Sequence, residues 1–108
     1  MRRGDLVTVA MQGDYGKPRP ALVIQSSLFA DHPSVTVLPL TSELRETPIF
    51  RVRVLPDLAN GLRAPSDVMI DKMHTVAREK IHNTIGSIGD EHLIEIERAV
   101  AVWLGIAD

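Results

Sequence analysis

Three short stretches hold residue types that could do chemistry. In "GKPRPALVIQ" (16–25), Arg19 stands between Pro18 and Pro20, just ahead of an apolar run. Proline at 20 biases Arg19 toward extended geometry, and Pro18 does the same for Lys17, so the backbone has few states to lose when it orders. A guanidinium is a planar fork of donors that stays protonated at any working pH and matches carboxylate or phosphate oxygens. In "LPLTS" (38–42), Thr41 and Ser42 stand at the exit of an alternating apolar segment. Hydroxyls there can donate to a phosphate oxygen or cap a turn. In "IDKMHTV" (70–76), Asp71, Lys72 and His74 fall within an apolar pattern, and histidine exchanges protons near neutral pH. Each residue also has a plain structural use: a surface arginine before a strand, a turn-capping hydroxyl, a packed histidine with one hydrogen bond.

Other chemistries find no footing. The chain has no cysteine, so disulfides, thiolate metal sites and cysteine nucleophiles are excluded. His32, His74, His82 and His92 show no paired zinc spacing, and neither a glycine-rich phosphate loop nor a G-x-S-x-G elbow occurs. An enzyme with this sequence is expected to work without metal or cofactor. At 108 residues, 44% hydrophobic and 24% charged, the chain is expected to form a single domain over 1–108. No apolar run approaches the roughly 18 residues of a membrane span, and "MRRGDLVTVAMQ" lacks the apolar core of a signal peptide, so a cytoplasmic, soluble protein is expected. The net charge of −2 argues against coating nucleic acid by bulk positive charge. Residues 1–63 nevertheless hold 8 Lys+Arg against 6 Asp+Glu, and residues 64–108 hold 4 against 8. A locally basic loop can still hold a phosphate.

The elements that must position these residues are mostly strands. "DLVTVA" (5–10) alternates and is β-branched, the pattern of a half-buried strand, and "MQGDYGKP" reads as a loop. "PALVIQS" is apolar on both faces and reads as a central strand. A helical turn after Ser27, a strand over "SVTVLPL", a strand over "IFRVRVL" with Arg51 and Arg53 on its wet face, and a strand over "DVMIDKMHTV" follow. "AREKI" could form a helical turn and "TIGSIG" a last short strand. Then the period changes: Leu93, Ile96, Val100, Trp103 and Leu104 recur at helical spacing, with Asp90 as candidate cap and Gly105 as stop. Five or six antiparallel strands and one closing helix predict a small barrel or rolled sheet.

Taken together, "RRGDLVTV", "GKPRPALVIQ", "VLPLTS", "GLRAPSDVMIDKMHTV" and "IHNTIGSIGDEHLIEIERAVAVWLGI" resemble the MazF/PemK family of toxins from bacterial toxin–antitoxin pairs, in the right order over almost the whole chain. The resemblance implies a mainly β fold, an SH3-like small antiparallel barrel with a C-terminal helix. It implies a homodimeric endoribonuclease that cuts single-stranded RNA without metal, through 2′-hydroxyl attack, and that is inhibited by a cognate antitoxin. On the matching motifs the catalytic positions fall on Arg19 and Thr41, and Ser42 and Asp71 in the same motifs are expected RNA contacts; the first loop, shorter than in many relatives, offers Tyr15 and Lys17 as further contacts, and His74 another. The family's "DQIRT" is "DKMHT" here, so Lys72 and His74 replace Gln and Arg, and Met69 stands where one subgroup has a further catalytic arginine. The ending "VWLGIAD" resembles the C-terminus of CcdB-like gyrase poisons on the same fold, but Leu104 separates Trp103 from Gly105 and two residues follow Ile106. A gyrase poison, or a relative that binds without cutting, is the alternative.

Overall fold

The structure, a computed structural model, describes residues 1–10, 17–46 and 49–107. Among these, seven strands make one antiparallel sheet: β1 Asp5–Ala10, β2 Pro18–Val23, β3 Ser34–Thr41, β4 Arg51–Val54, β5 Ser66–Met69, β6 His74–Ala77 and β7 Ile81–Ser87. They lie in the order β4-β5-β3-β2-β1-β7, with β6 also pairing β3. No ladder among the described residues joins β4 to β7, so the sheet rolls without closing. It is the sheet-dominated, helix-ended fold that the sequence predicts.

The long strand β3 explains the seventh strand. "DVMIDKMHTV" is not one strand but two, because a 3₁₀ turn over Ile70–Lys72 breaks it. The turn is pinned by Ile70, whose side chain is fully buried and whose N–H donates to the Phe50 carbonyl at 2.9 Å. One segment can then line both ends of a twisted partner: β5 pairs Leu40 and Thr41, and β6 pairs Ser34 to Val37. The helical turns expected after Ser27 and over "AREKI" are 3₁₀ turns at Ser27–Phe29 and Arg78–Lys80.

Strands β1 to β3 are apolar on alternating residues of both faces, and each face has its own core. Leu6, Leu22, Leu38 and Leu40 pack with Ile70 and with Ile96 of helix α1 (Asp90–Trp103). Val7, Val9, Ala21, Val23, Val35 and Val37 form a second cluster with Val76 and Ile81 beside it. In α1 only Ile96 is fully buried, with Leu93 and Val100 at the margin. Arg3 ties the helix down, its Nε donating to Glu97 Oε2 at 2.7 Å and its Nη1 to the Ile24 carbonyl. The helix cap is Gly89 rather than Asp90; Asp90 is the first helical residue, where its charge complements the helix dipole. The other end stops as expected: Gly105, at φ 74°, donates to the Val102 carbonyl while Ile106 donates to Ala101, the Schellman pattern. Trp103, 50% exposed, continues the apolar stripe only far enough to meet Phe50, with ring centroids 6.1 Å apart.

Candidate active site

A cleft of about 790 Å³ opens where β2 begins and β3 ends. The β2–β3 ladder stops at Ala21↔Pro39; beyond it, Pro18 to Pro20 stay with β1 while Leu40 and Thr41 turn to β5. Prolines at 18, 20 and 39 have no N–H to give, which thins the pairing where the strands part. Arg19 is thereby set on one lip of the cleft and Thr41 with Ser42 on the other. Arg19 and Thr41 each stand two residues beyond Ala21↔Pro39, the last pair of that ladder, and both line the cleft. The Thr41 hydroxyl accepts from the Glu43 N–H at 3.1 Å, so its own proton remains available to a ligand.

Behind Thr41 lies a charged network that sequence reasoning missed. Thr41 is opposite Asp67 in β5, and Asp67 is opposite Arg53 in β4. Asp67 is 1% exposed. Its carboxylate accepts from Arg45 N (3.0 Å), Arg53 Nε (3.1 Å) and Arg51 Nη1 (3.4 Å). Burial pushes the Asp67 carboxyl up, but the Arg45 N–H and the guanidinium groups of Arg53 and Arg51 outweigh it and hold it below the usual aspartate range. Hydrogen bonds to Asp67 and then to Glu46 in turn raise Arg53. Arg51 Nη1 also donates to the Glu43 carbonyl at 3.0 Å, which fixes the turn after Thr41. The signal was present: two arginines at period two in a strand beside a "PSDVM" strand call for a buried partner, and the face read as wet is a salt-bridged one.

The remaining candidate residues separate. Lys17 is exposed at the entry of β2 and does not line the cleft. Asp71 sits in the 3₁₀ turn and His74 opens β6, both half-buried and both outside the cleft lining. His74 Nδ1 lies 3.0 Å from the Lys72 carbonyl oxygen, while His74 Nε2 and Asp71 Oδ1 have no hydrogen-bond partner among the described residues. Tyr15 lies outside the described residues. Met69 lines the cleft, and so do Glu43, Leu62 and Arg63 from segments that the sequence marked only as loops. No three His, Asp or Glu residues converge as a metal site among the described residues, and no helix there is long and apolar enough to cross a membrane.

Residues 2–104 match the family model described as PemK-like, MazF-like toxin of type II toxin-antitoxin system. The chain is 44% identical over 108 residues to a probable endoribonuclease MazF of Mycolicibacterium smegmatis, covering 99% of both proteins. Among solved structures, it is similar to the Mycobacterium tuberculosis toxin MazF-mt6, with TM-score 0.80, 24% identity and coverage of 94% and 96%. It is also similar to a mycobacterial endoribonuclease in complex with its cognate antitoxin, with TM-score 0.83, 20% identity and coverage of 100% and 98%. At these identities the two structures speak for the fold.

Proposed function

Because the chain belongs to the PemK-like, MazF-like toxin family of type II toxin–antitoxin systems, we propose that it is an endoribonuclease whose cleft cuts single-stranded RNA. The observation that carries this reading is the parting of β2 and β3, which leaves Arg19 and Thr41 on facing lips of one cleft. A phosphodiester seated there meets a permanent cation on one side and a hydroxyl donor on the other. The RNA's own 2′-hydroxyl gives up its proton and attacks the adjacent phosphorus; the bond to the 5′-oxygen breaks, and that oxygen takes up a proton. The products are a 2′,3′-cyclic phosphate and a 5′-hydroxyl. Arg19 and Thr41 act by donating to the phosphate oxygens as charge grows on them, and such preplaced donors need no reorganisation at the moment of reaction. No step asks for a metal.

Ser42 on the Thr41 lip, and Lys17 two residues before Arg19 in the chain, extend the grip on the phosphate backbone, and Tyr15 offers a ring for base stacking. Asp71 and His74 would meet a longer RNA outside the cleft. The chain acts as one domain and pairs as a homodimer in the cytoplasm, where an antitoxin with an acidic segment covers the same groove.

The purified protein is expected to cut single-stranded RNA in EDTA and to leave 5′-hydroxyl ends. Arg19→Ala should remove cutting with the fold intact, and Thr41→Ala should lower kcat by about 10²–10³, the usual loss for one such donor. Undiminished cutting by Arg19→Ala rejects the site. Intact RNA together with trapped gyrase–DNA complexes would turn the assignment to the gyrase poison.

A further inference from the structure

Arg63 lines the same cleft as Arg19, on a loop held more firmly than a connection requires. The loop between β4 and β5 turns around Asn60, which is 1% exposed. The Asn60 amide donates to the Leu55 carbonyl at 2.9 Å, and its oxygen accepts from the N–H groups of Asp57 (3.1 Å) and Leu62 (3.0 Å). Asp57 Oδ1 accepts from the Ala59 and Asn60 N–H groups at 2.9 and 2.7 Å. The loop is then pressed onto β7, backbone against backbone. Ser87 N donates to the Ala59 carbonyl at 2.9 Å; a Cβ at Gly61 would stand 2.1 Å from the Ile85 oxygen, and one at Gly86 would stand 2.3 Å from the Ala59 oxygen. Its cleft-facing residues, Leu62, Arg63 and Ala64, are thus carried on a backbone with little left to order.

Among the described residues the charge at this position has no internal use. No carboxylate among the described residues pairs with Arg63, and the acid lining the cleft, Glu43, has Arg45 at 3.6 Å. A fixed backbone that offers a guanidinium into a cleft, without an acid among the described residues to neutralise it, suits an anionic ligand. A nucleic acid strand held at Arg19 through one phosphate necessarily brings others. We infer that Arg63 binds a phosphate of the RNA strand next to the one being cut and so sets the strand's position in the cleft, an inference that rests on the endoribonuclease reading above. The contact is made equally before and during reaction, so it belongs to substrate binding rather than to the chemical step.

The test is steady-state cleavage of a labelled RNA by wild type, Arg63→Ala, Arg63→Lys and Arg19→Ala protein over a series of salt concentrations. Arg63→Ala should raise KM about tenfold, as expected for one charge-assisted contact, with kcat within about twofold. The slope of log(1/KM) against log salt should become shallower by about 0.7, the share of one phosphate on a single strand. Lysine, a point charge, should recover the slope and part of the KM. An unchanged KM and slope, or a loss confined to kcat, would overturn the inference while leaving the nuclease reading in place. Unchanged RNA kinetics with weaker capture of an acidic peptide would overturn it too, by giving Arg63 to a protein partner. The nuclease reading fails separately, in the wild-type and Arg19→Ala arms: no cutting by the first, or full cutting by the second.

Discussion

Asp67 carries a carboxylate into the sheet where almost no solvent reaches it, and the molecule spends two arginines and a backbone N–H on keeping it ionised. Its pKa is lowered on folding, so the sign of the pH effect follows. The stabilisation is present in full above the unfolded-state value of about 3.9 and is lost as pH falls through the depressed native value. Urea midpoints should therefore drop on acidification below about pH 4, and Asp67→Asn should flatten that part of the curve. Asp67→Ala should cost about 3 kcal/mol, the lower end for breaking a buried pair, because Arg53 keeps a third of its side chain in water. An Asp67→Asn curve as steep as the wild type's would mean that other carboxylates set the acid limb. The consequence reaches the cleft, since Arg51 holds both Asp67 and the Glu43 carbonyl beside Thr41.

At the scale of the elements, the sequence announced strands better than their partners. Alternation marked β1, β3 and β4, and the helix stripe and its glycine stop were plain, because each is a local pattern. The break in "DVMIDKMHTV" was not legible, since it answers the length and twist of β3, thirty residues away in the chain. Arg19 and Thr41 were legible as residues, but that both line one cleft depends on where the β2–β3 ladder ends. The loop before β5 read as glycine, proline and asparagine, and nothing local distinguished a tether from a slack connection. Gly61 and Gly105 make that difference measurable. Both have positive φ, at 68° and 74°, but Gly61 faces the Ile85 carbonyl whereas nothing lies within 4 Å of a Cβ at Gly105. Gly105→Ala should cost about 1 kcal/mol, the backbone term alone. Gly61→Ala adds a clash with main chain that cannot swing away, so it should lower the melting temperature several times further and also weaken RNA cutting through Arg63. Equal effects of the two substitutions would show that the loop yields.

For the molecule as a whole, the decisive property is burial on both faces of the central strands. A sheet with one wet face tolerates change at every second residue; this one has few such positions in β1 to β3, because one face packs on α1 and the Ile70 turn while the rolled sheet covers the other. Neighbouring residues Val37 and Leu38 test this directly, as both have 0% exposure and they belong to different clusters. Leu38→Ala should cost about 2–5 kcal/mol, the range for a buried leucine that leaves a cavity. Val37→Ala should cost about 2 kcal/mol, from two lost methyl groups at about 0.8 kcal/mol each and a smaller void. Denaturant unfolding of both variants measures the pair, and a neutral Val37→Ala would mean that the second face is not a core. Since β3 runs from this doubly buried centre to Thr41, the hydroxyl at its end is held by packing on both sides of the strand. Neither variant touches the cleft, so each should bind RNA with unchanged KM at temperatures where it remains folded.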